Sequence, residues 1–259
     1  MESDQFETIS TLGDAHSRIV FLRALTESPA GKTEIESRTG LSRSTINRRA
    51  EEMEKNQWVE MDTTRRYRLT FVGELLIRHY NTFEASLEQL ATKKKFFNQL
   101  QNRNIDIPLD VLEQSDVILA TDKDPHIVVN NFIKGTRLDI ETFRGIVPVT
   151  SPIFQAHATQ ILEQGADMEL IIDATVLESA ETKYPTDVER GFTAENFTFL
   201  VHQTKLDFGL ALFGDQHALF CAYNDKGQLT AGLVGQSQAL IDWVAQIYES
   251  YRSDSQLID

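Results

Sequence analysis

Ser42-Arg43-Ser44-Thr45-Ile46-Asn47-Arg48-Arg49 opens a helix with a hydroxyl cap and sets hydroxyls, an amide and guanidinium groups along its first two turns. Such a surface suits a DNA groove. Ser, Thr and Asn bond phosphates or base edges, Arg forks onto guanine, and the N-terminal amides attract phosphate.

Working outward, Asp14 to Ser28 reads as a preceding helix, with Ile19, Leu22 and Leu25 on an apolar face that Val20, Phe21 and Ala24 broaden. Thr33-Glu34-Ile35-Glu36 has capping-box spacing and starts a short helix that Gly40 ends in a left-handed cap. Ser42 then caps a third helix running to about Asn56, whose Ile46, Ala50 and Met53 fall at core spacing. Helix, short helix, Gly turn and polar-basic helix make a helix-turn-helix. Trp58-Val59-Glu60-Met61 and Tyr67-Arg68-Leu69-Thr70 flank the polar tip 62–66, which reads as a β-hairpin wing carrying Arg65 and Arg66. A solvated surface helix also carries arginines, and Arg48 or Arg49 can pair with Glu51, Glu52 or Glu54. The helix order and the hairpin favour DNA. The expected contacts are Thr33, Ser42, Arg43, Ser44, Thr45, Asn47, Arg48 and Arg49, with Arg65, Arg66 and Arg68 on the wing.

The net charge of −14 looks wrong for such a protein until it is divided. Residues 1–70 hold 11 Lys and Arg against 12 Asp and Glu, residues 71–104 hold 5 against 3, and residues 105–259 hold 9 against 24. The acidic part repels a phosphate backbone, so its role lies elsewhere. Acidity with few lysines fits a salt-rich, halophilic cytoplasm, and an ordinary acidic mesophilic protein fits too. No apolar run approaches a membrane span and no signal peptide is visible, which implies a cytoplasmic protein with no membrane partner. Cys221 is the single cysteine, which excludes an internal disulfide framework.

Leu76, Tyr80, Phe83, Leu87, Leu90, Lys94, Phe97 and Gln101 recur at alternating spacings of four and three, and no Pro interrupts 72–104. That is a helix–helix seam, which packs either on its own domain or on a second copy. A homodimer joined through Leu76, Tyr80, Phe83, Leu87, Leu90 and Phe97 would place two reading heads on a two-fold DNA site. The Lys93-Lys94-Lys95 run breaks the seam, and Asn102 to Pro108 reads as a polar link.

From Ser115 strands and helices alternate. Strands are expected over Asp116–Thr121, 138–146 and Met168–Asp173. The intervening helices run from Asp124-Pro125 to Gly135 and from Ser151-Pro152 to Gly165. This βαβαβ order favours a parallel sheet. Residues 174–204 read as mostly helical. Leu206–Phe213, His217–Tyr223 and Gln228–Val234 read as antiparallel strands, and Ser237–Arg252 as a final helix burying Leu240, Trp243, Val244, Ile247 and Tyr251. The expected class is α+β, with domains at 1–72 (winged helix-turn-helix), 73–104 (connecting helix) and 105–259 (acidic, mixed sheet).

"LSRSTINRRAEEMEKNQWVE" followed by "YRLTFVGELL" resembles the recognition helix, wing and following helix of archaeal winged-helix regulators, haloarchaeal ones especially. "GLALFGDQHALFCAYNDKGQLTAGLVGQSQALIDWVAQIYESYR" resembles the end of the effector domains in TrmB-type regulators and the methanogen filamentation-regulator family. Those sensor halves resemble phospholipase D-like folds. The resemblance implies a transcription factor whose second domain senses a small-molecule effector or mediates assembly. The phospholipase D motif His-x-Lys does not occur, so lipase chemistry is not carried over.

Other chemistry is weaker. Gly235-Gln236-Ser237-Gln238-Ala239 mimics a nucleophile elbow, but every histidine precedes Ser237, and an N-cap explains that serine better. His16, His79, His126, His157, His202 and His217 form no close pair and no recognisable metal set. Cys221, mid-strand, reads as a buried inert thiol before a redox sensor. The sequence therefore points to a dimeric, sequence-specific regulator of double-stranded DNA, with no cofactor and no enzyme activity. The competing readings are a hydrolase-like enzyme with a tethered DNA-binding head and a protein-interaction module.

Overall fold

The computed structural model describes residues 16–100, 105–135, 137 and 139–258. Asp14, Gln101, Leu138 and residues 102–104, on which four expectations touch, lie outside them. The chain divides into two compact units between Glu88 and Gln89.

The first unit runs α1 (His16–Arg23), α2 (Lys32–Thr39), α3 (Arg43–Lys55), β1 (Val59–Met61), β2 (Tyr67–Leu69) and the long α4 (Phe71–Thr92), which crosses the division. β1 and β2 pair antiparallel with Glu60 opposite Arg68, and a single bridge joins Ala30 to Tyr67. This is a winged helix-turn-helix. Ile19, Leu22, Ile35, Ile46, Met53 and Ile77 meet in its core. One expectation shifts: the cap of α2 is Gly31, two residues before Thr33, and the helix starts at Lys32, because the Glu34 carboxylate accepts from the Gly31 amide at 2.7 Å. Gly40 ends the helix as expected, left-handed at φ 70°. α4 begins against the wing, where a β-carbon on Gly73 would come within 2.0 Å of the Trp58 carbonyl oxygen.

The second unit runs α5 (Lys94–Phe97), α6 (Leu109–Gln114), β3 (Asp116–Leu119), α7 (Ile127–Gly135), β4 (Thr142–Ile146), α8 (Pro152–Glu163) and β5 (Asp167–Asp173). It continues α9 (Ala174–Lys183), α10 (Pro185–Thr193), β6 (Phe197–His202), β7 (Phe208–Phe213), β8 (His217–Tyr223), β9 (Leu229–Gly235), α11 (Gln238–Ser253) and β10 (Ser255–Leu257). The eight strands order as β10-β6-β5-β4-β7-β8-β9-β3, with β4–β5 and β5–β6 parallel and every other pair antiparallel. β7 throughout and β8 from Ala218 onward are buried because both sheet faces are covered. Phe208, Leu210 and Phe220 face the core shared with Trp243 and Tyr248 of α11, whereas Ala211, Phe213, Leu219 and Cys221 face the core of α7 and α8.

Three expectations here need correction, and a fourth is completed. β3 is not part of the parallel set; it closes the far edge antiparallel to β9. Asp124-Pro125 lies before α7, where Asp124 bridges Thr121 instead of capping the helix. Residues 174–204 are mostly helical as expected, and β6 follows the helices within them. The long helix stops at Thr92, because Lys93 is buried and donates to the carbonyls of Leu112 and Ser115, capping the end of α6. Burial lowers the Lys93 pKa despite Asp116 and Glu113 nearby.

Candidate nucleic-acid interface

α3 carries the site. Ser42 caps it, its Oγ accepting from the Thr45 amide at 3.3 Å. The same Oγ lies 2.9 Å from Thr45 Oγ1 and 3.0 Å from Ser44 Oγ, so three hydroxyls cluster at the N-terminus. Ile46, Ala50 and Met53 are buried. With that side fixed inward, the helical period turns Arg43, Ser44, Asn47, Arg48, Glu51 and Lys55 outward, and all six are exposed. Thr45 is half-buried and engaged with the cap.

The arginines have different partners. Arg43 is open to solvent and contacts Glu36 at 3.2 Å. Arg48 is exposed with no ion pair among the described residues. Arg49 is buried: its Nε donates to Ser17 Oγ at 2.9 Å and its Nη1 to Glu52 at 2.6 Å. Glu52 also holds Arg18 at 2.7 Å. Burial alone would raise the Glu52 pKa, but the hydrogen bonds from Arg18 and Arg49 outweigh it and hold it low. Arg49 thus ties α3 to α1, and its guanidinium is turned inward to Ser17 and Glu52. Thr33 is exposed on the first turn of α2.

The wing tip is organised by Asp62, whose Oδ1 accepts from Thr64 N, Thr64 Oγ1 and Arg66 N at 2.8, 2.7 and 2.9 Å. The Arg66 and Thr64 bonds keep its pKa low. Arg65 sits at the tip with φ 61°, exposed and without an ion pair among the described residues. Arg66 folds back to the Pro29 carbonyl at 2.6 Å and to Glu34 at 3.0 Å. Arg68 pairs with Glu60 across the hairpin at 2.7 Å, both half exposed.

Of the expected seam, Leu76 and Tyr80 pack against the first unit's core and Phe97 against a core of the second. Phe83, Leu87 and Leu90 lie open on α4, 60 %, 50 % and 48 % exposed. Ser237 caps α11, accepting from Leu240 N at 3.3 Å.

Residues 125–254 match the family described as methanogenesis regulatory protein FilR1, middle domain. The chain belongs to this FilR1 family. Ahead of the FilR1 middle domain, residues 6–91 match the HVO_A0261 N-terminal domain. No curated protein matches the sequence. Among solved structures, the chain is similar to TrmBL2, an archaeal chromatin protein with a novel mode of DNA binding, at 9 % identity and TM-score 0.40, over 99 % of this chain and 100 % of that one. It is also similar to Nuc, a phospholipase D family member from Salmonella typhimurium, at 9 % identity and TM-score 0.43, over 56 % of this chain and 99 % of that one. A third likeness is to polyphosphate kinase from Porphyromonas gingivalis, at 10 % identity and TM-score 0.40, over 57 % and 27 %. These three likenesses assign no activity to the FilR1-type domain.

Proposed function

We propose that the chain is a sequence-specific, DNA-binding transcriptional regulator. One observation carries the reading: α3 buries Ile46, Ala50 and Met53 and leaves Ser42, Arg43, Ser44, Asn47 and Arg48 facing solvent beside the wing. Arg43 and Arg48 read base edges, the hydroxyls and helix N-terminus position the phosphate backbone, and Arg65 and Arg68 follow a neighbouring groove or strand. Thr45 acts through the cap and Thr33 at the periphery. Arg49 is left out of the reading set, and Arg66 contributes only if it exchanges Glu34 for phosphate. A homodimer through Phe83, Leu87 and Leu90 presents two heads, and the domain beyond residue 105 biases their spacing when an effector binds. The effector must bind the two arrangements unequally to shift anything.

The test is selection of bound duplexes from sheared genomic DNA, followed by fluorescence anisotropy on an enriched site at rising KCl. Affinity falls log-linearly with salt, with a slope of about −0.9 per phosphate neutralised. Absence of salt-sensitive duplex binding at every ionic strength defeats the reading and favours a protein-interaction module.

A further inference from the structure

The second unit holds a cavity of about 150 Å³ between its sheet and the helices on one face. Phe132 of α7, Phe154 of α8 and Val188 of α10 wall it, and β8 supplies Cys221 and Tyr223 from alternate positions on one face. The proposed DNA contacts use none of these residues.

Cys221 and Tyr223 are 7 % and 8 % exposed, and neither has a hydrogen-bond partner among the described residues. Gly209 makes room for the phenol, since a β-carbon there would come within 3.0 Å of the Tyr223 hydroxyl. The phenol lines the cavity and its hydroxyl is not sealed from a molecule the size of water, so it is free to donate to a molecule held there. Burial pushes the thiol up to about 12 and raises the phenol well above its ordinary value, so both stay neutral. The charged lining residues, Asp187 and Arg190, are exposed and face each other at 3.9 Å, so no buried counter-charge awaits an ionic ligand. An apolar space of this volume accommodates a molecule the size of benzene.

We infer that this cavity binds a neutral, largely hydrocarbon small molecule, about the size of a substituted benzene, with one hydrogen-bond acceptor that meets the Tyr223 hydroxyl. The inference gives a ligand class to the effector role proposed above and rests on that reading only for its consequence on DNA.

Calorimetric titration of the full chain with acetophenone, ethylbenzene and benzoate tests it. Acetophenone binds, ethylbenzene binds more weakly, and benzoate does not. Tyr223→Phe weakens acetophenone by roughly three- to tenfold, as expected for one lost hydrogen bond, and leaves ethylbenzene unchanged. Ala158→Phe fills the space and abolishes both; should that variant not fold, Tyr223→Phe, which removes a single oxygen, still decides the matter. Failure of both aromatics to bind, equal binding of benzoate, or indifference of acetophenone to Tyr223→Phe overturns the site. Duplex binding by the same samples separates the two proposals. Ligand binding with DNA affinity unchanged upholds the cavity and removes its effector role. DNA binding without ligand binding removes the cavity and keeps the DNA-reading head.

Discussion

Arg48 and Arg49 are neighbours on one helix with opposite surroundings, and replacing each with Ala separates reading from folding. Arg49→Ala deletes the donors at 2.9 Å from Ser17 and 2.6 Å from Glu52, together with a buried stem. Breaking a buried ion pair costs ~3–5 kcal/mol. Glu52 keeps Arg18 at 2.7 Å, and its side chain is 22 % exposed, which brings the expectation down to ~2–3 kcal/mol. For a domain of this size each kcal/mol moves Tm by ~4–8 °C, so the first unit's transition falls by roughly 10–20 °C. Arg48 is exposed and has no ion pair among the described residues, so Arg48→Ala leaves stability within ~0.5 kcal/mol. It weakens binding to an enriched duplex by ~1–3 kcal/mol if it forks onto a base. Differential scanning calorimetry and anisotropy at three salt concentrations read both effects. An unshifted transition in Arg49→Ala, or equal thermal loss in Arg48→Ala, refutes the assignment of the two side chains.

Gly73→Ala forces a β-carbon toward the Trp58 carbonyl oxygen, a backbone atom that cannot swing aside; a cost of ~1–3 kcal/mol should lower the urea midpoint, and an unchanged midpoint contradicts that contact. Asp173 is buried; burial alone would raise its pKa, but bonds from Thr175, Leu206 and Val176 outweigh it and hold it low. Its folded value lies below the unfolded one, so its contribution is full above about pH 4 and disappears as pH falls through the folded value. Asp173→Asn should flatten the acid limb of a near-UV circular dichroism titration between about pH 5 and 2, and an unaltered limb counts against it. Phe83→Asp with Leu87→Asp should give a monomer by sedimentation equilibrium; an unchanged assembly mass excludes that helix face as the seam.

What was legible in the sequence followed from local rules. Ser42, Gly40 and the 46-50-53 spacing specify a helix, its stop and its inward side from neighbouring residues alone, and each lies where those rules put it. The β7–β8–β9 meander was legible because apolar runs are punctuated by Gly214 and Gly227, both left-handed. Long-range partners were not legible. β3 precedes a helix and a strand just as the first strand of a parallel unit does, and only pairing with β9 makes it an antiparallel edge. Lys93 reads as the first of a basic run that breaks the seam, yet nothing local shows that the carbonyls of Leu112 and Ser115, about twenty residues on, draw it inside. Arg49 was ambiguous among three glutamates until Ser17 and Arg18 of α1 selected Glu52.

The arginines proposed for DNA raise a question that their net charge does not answer. Arg43, Arg66 and Arg68 each sit beside a carboxylate at 2.7–3.2 Å, so a phosphate has to displace Glu36, Glu34 or Glu60. Those pairs are well exposed, and exposed pairs are worth only ~0–1 kcal/mol, which makes the exchange a small barrier. In the proposed reading the carboxylates lower the positive potential that the arginines offer to a non-specific polyanion, and they yield at small cost once a phosphate is in place. Salt weakens these intramolecular pairs and the phosphate contacts in the same direction, so part of the usual salt penalty cancels. A reading face built this way loses less affinity in concentrated salt than one whose arginines begin unpaired.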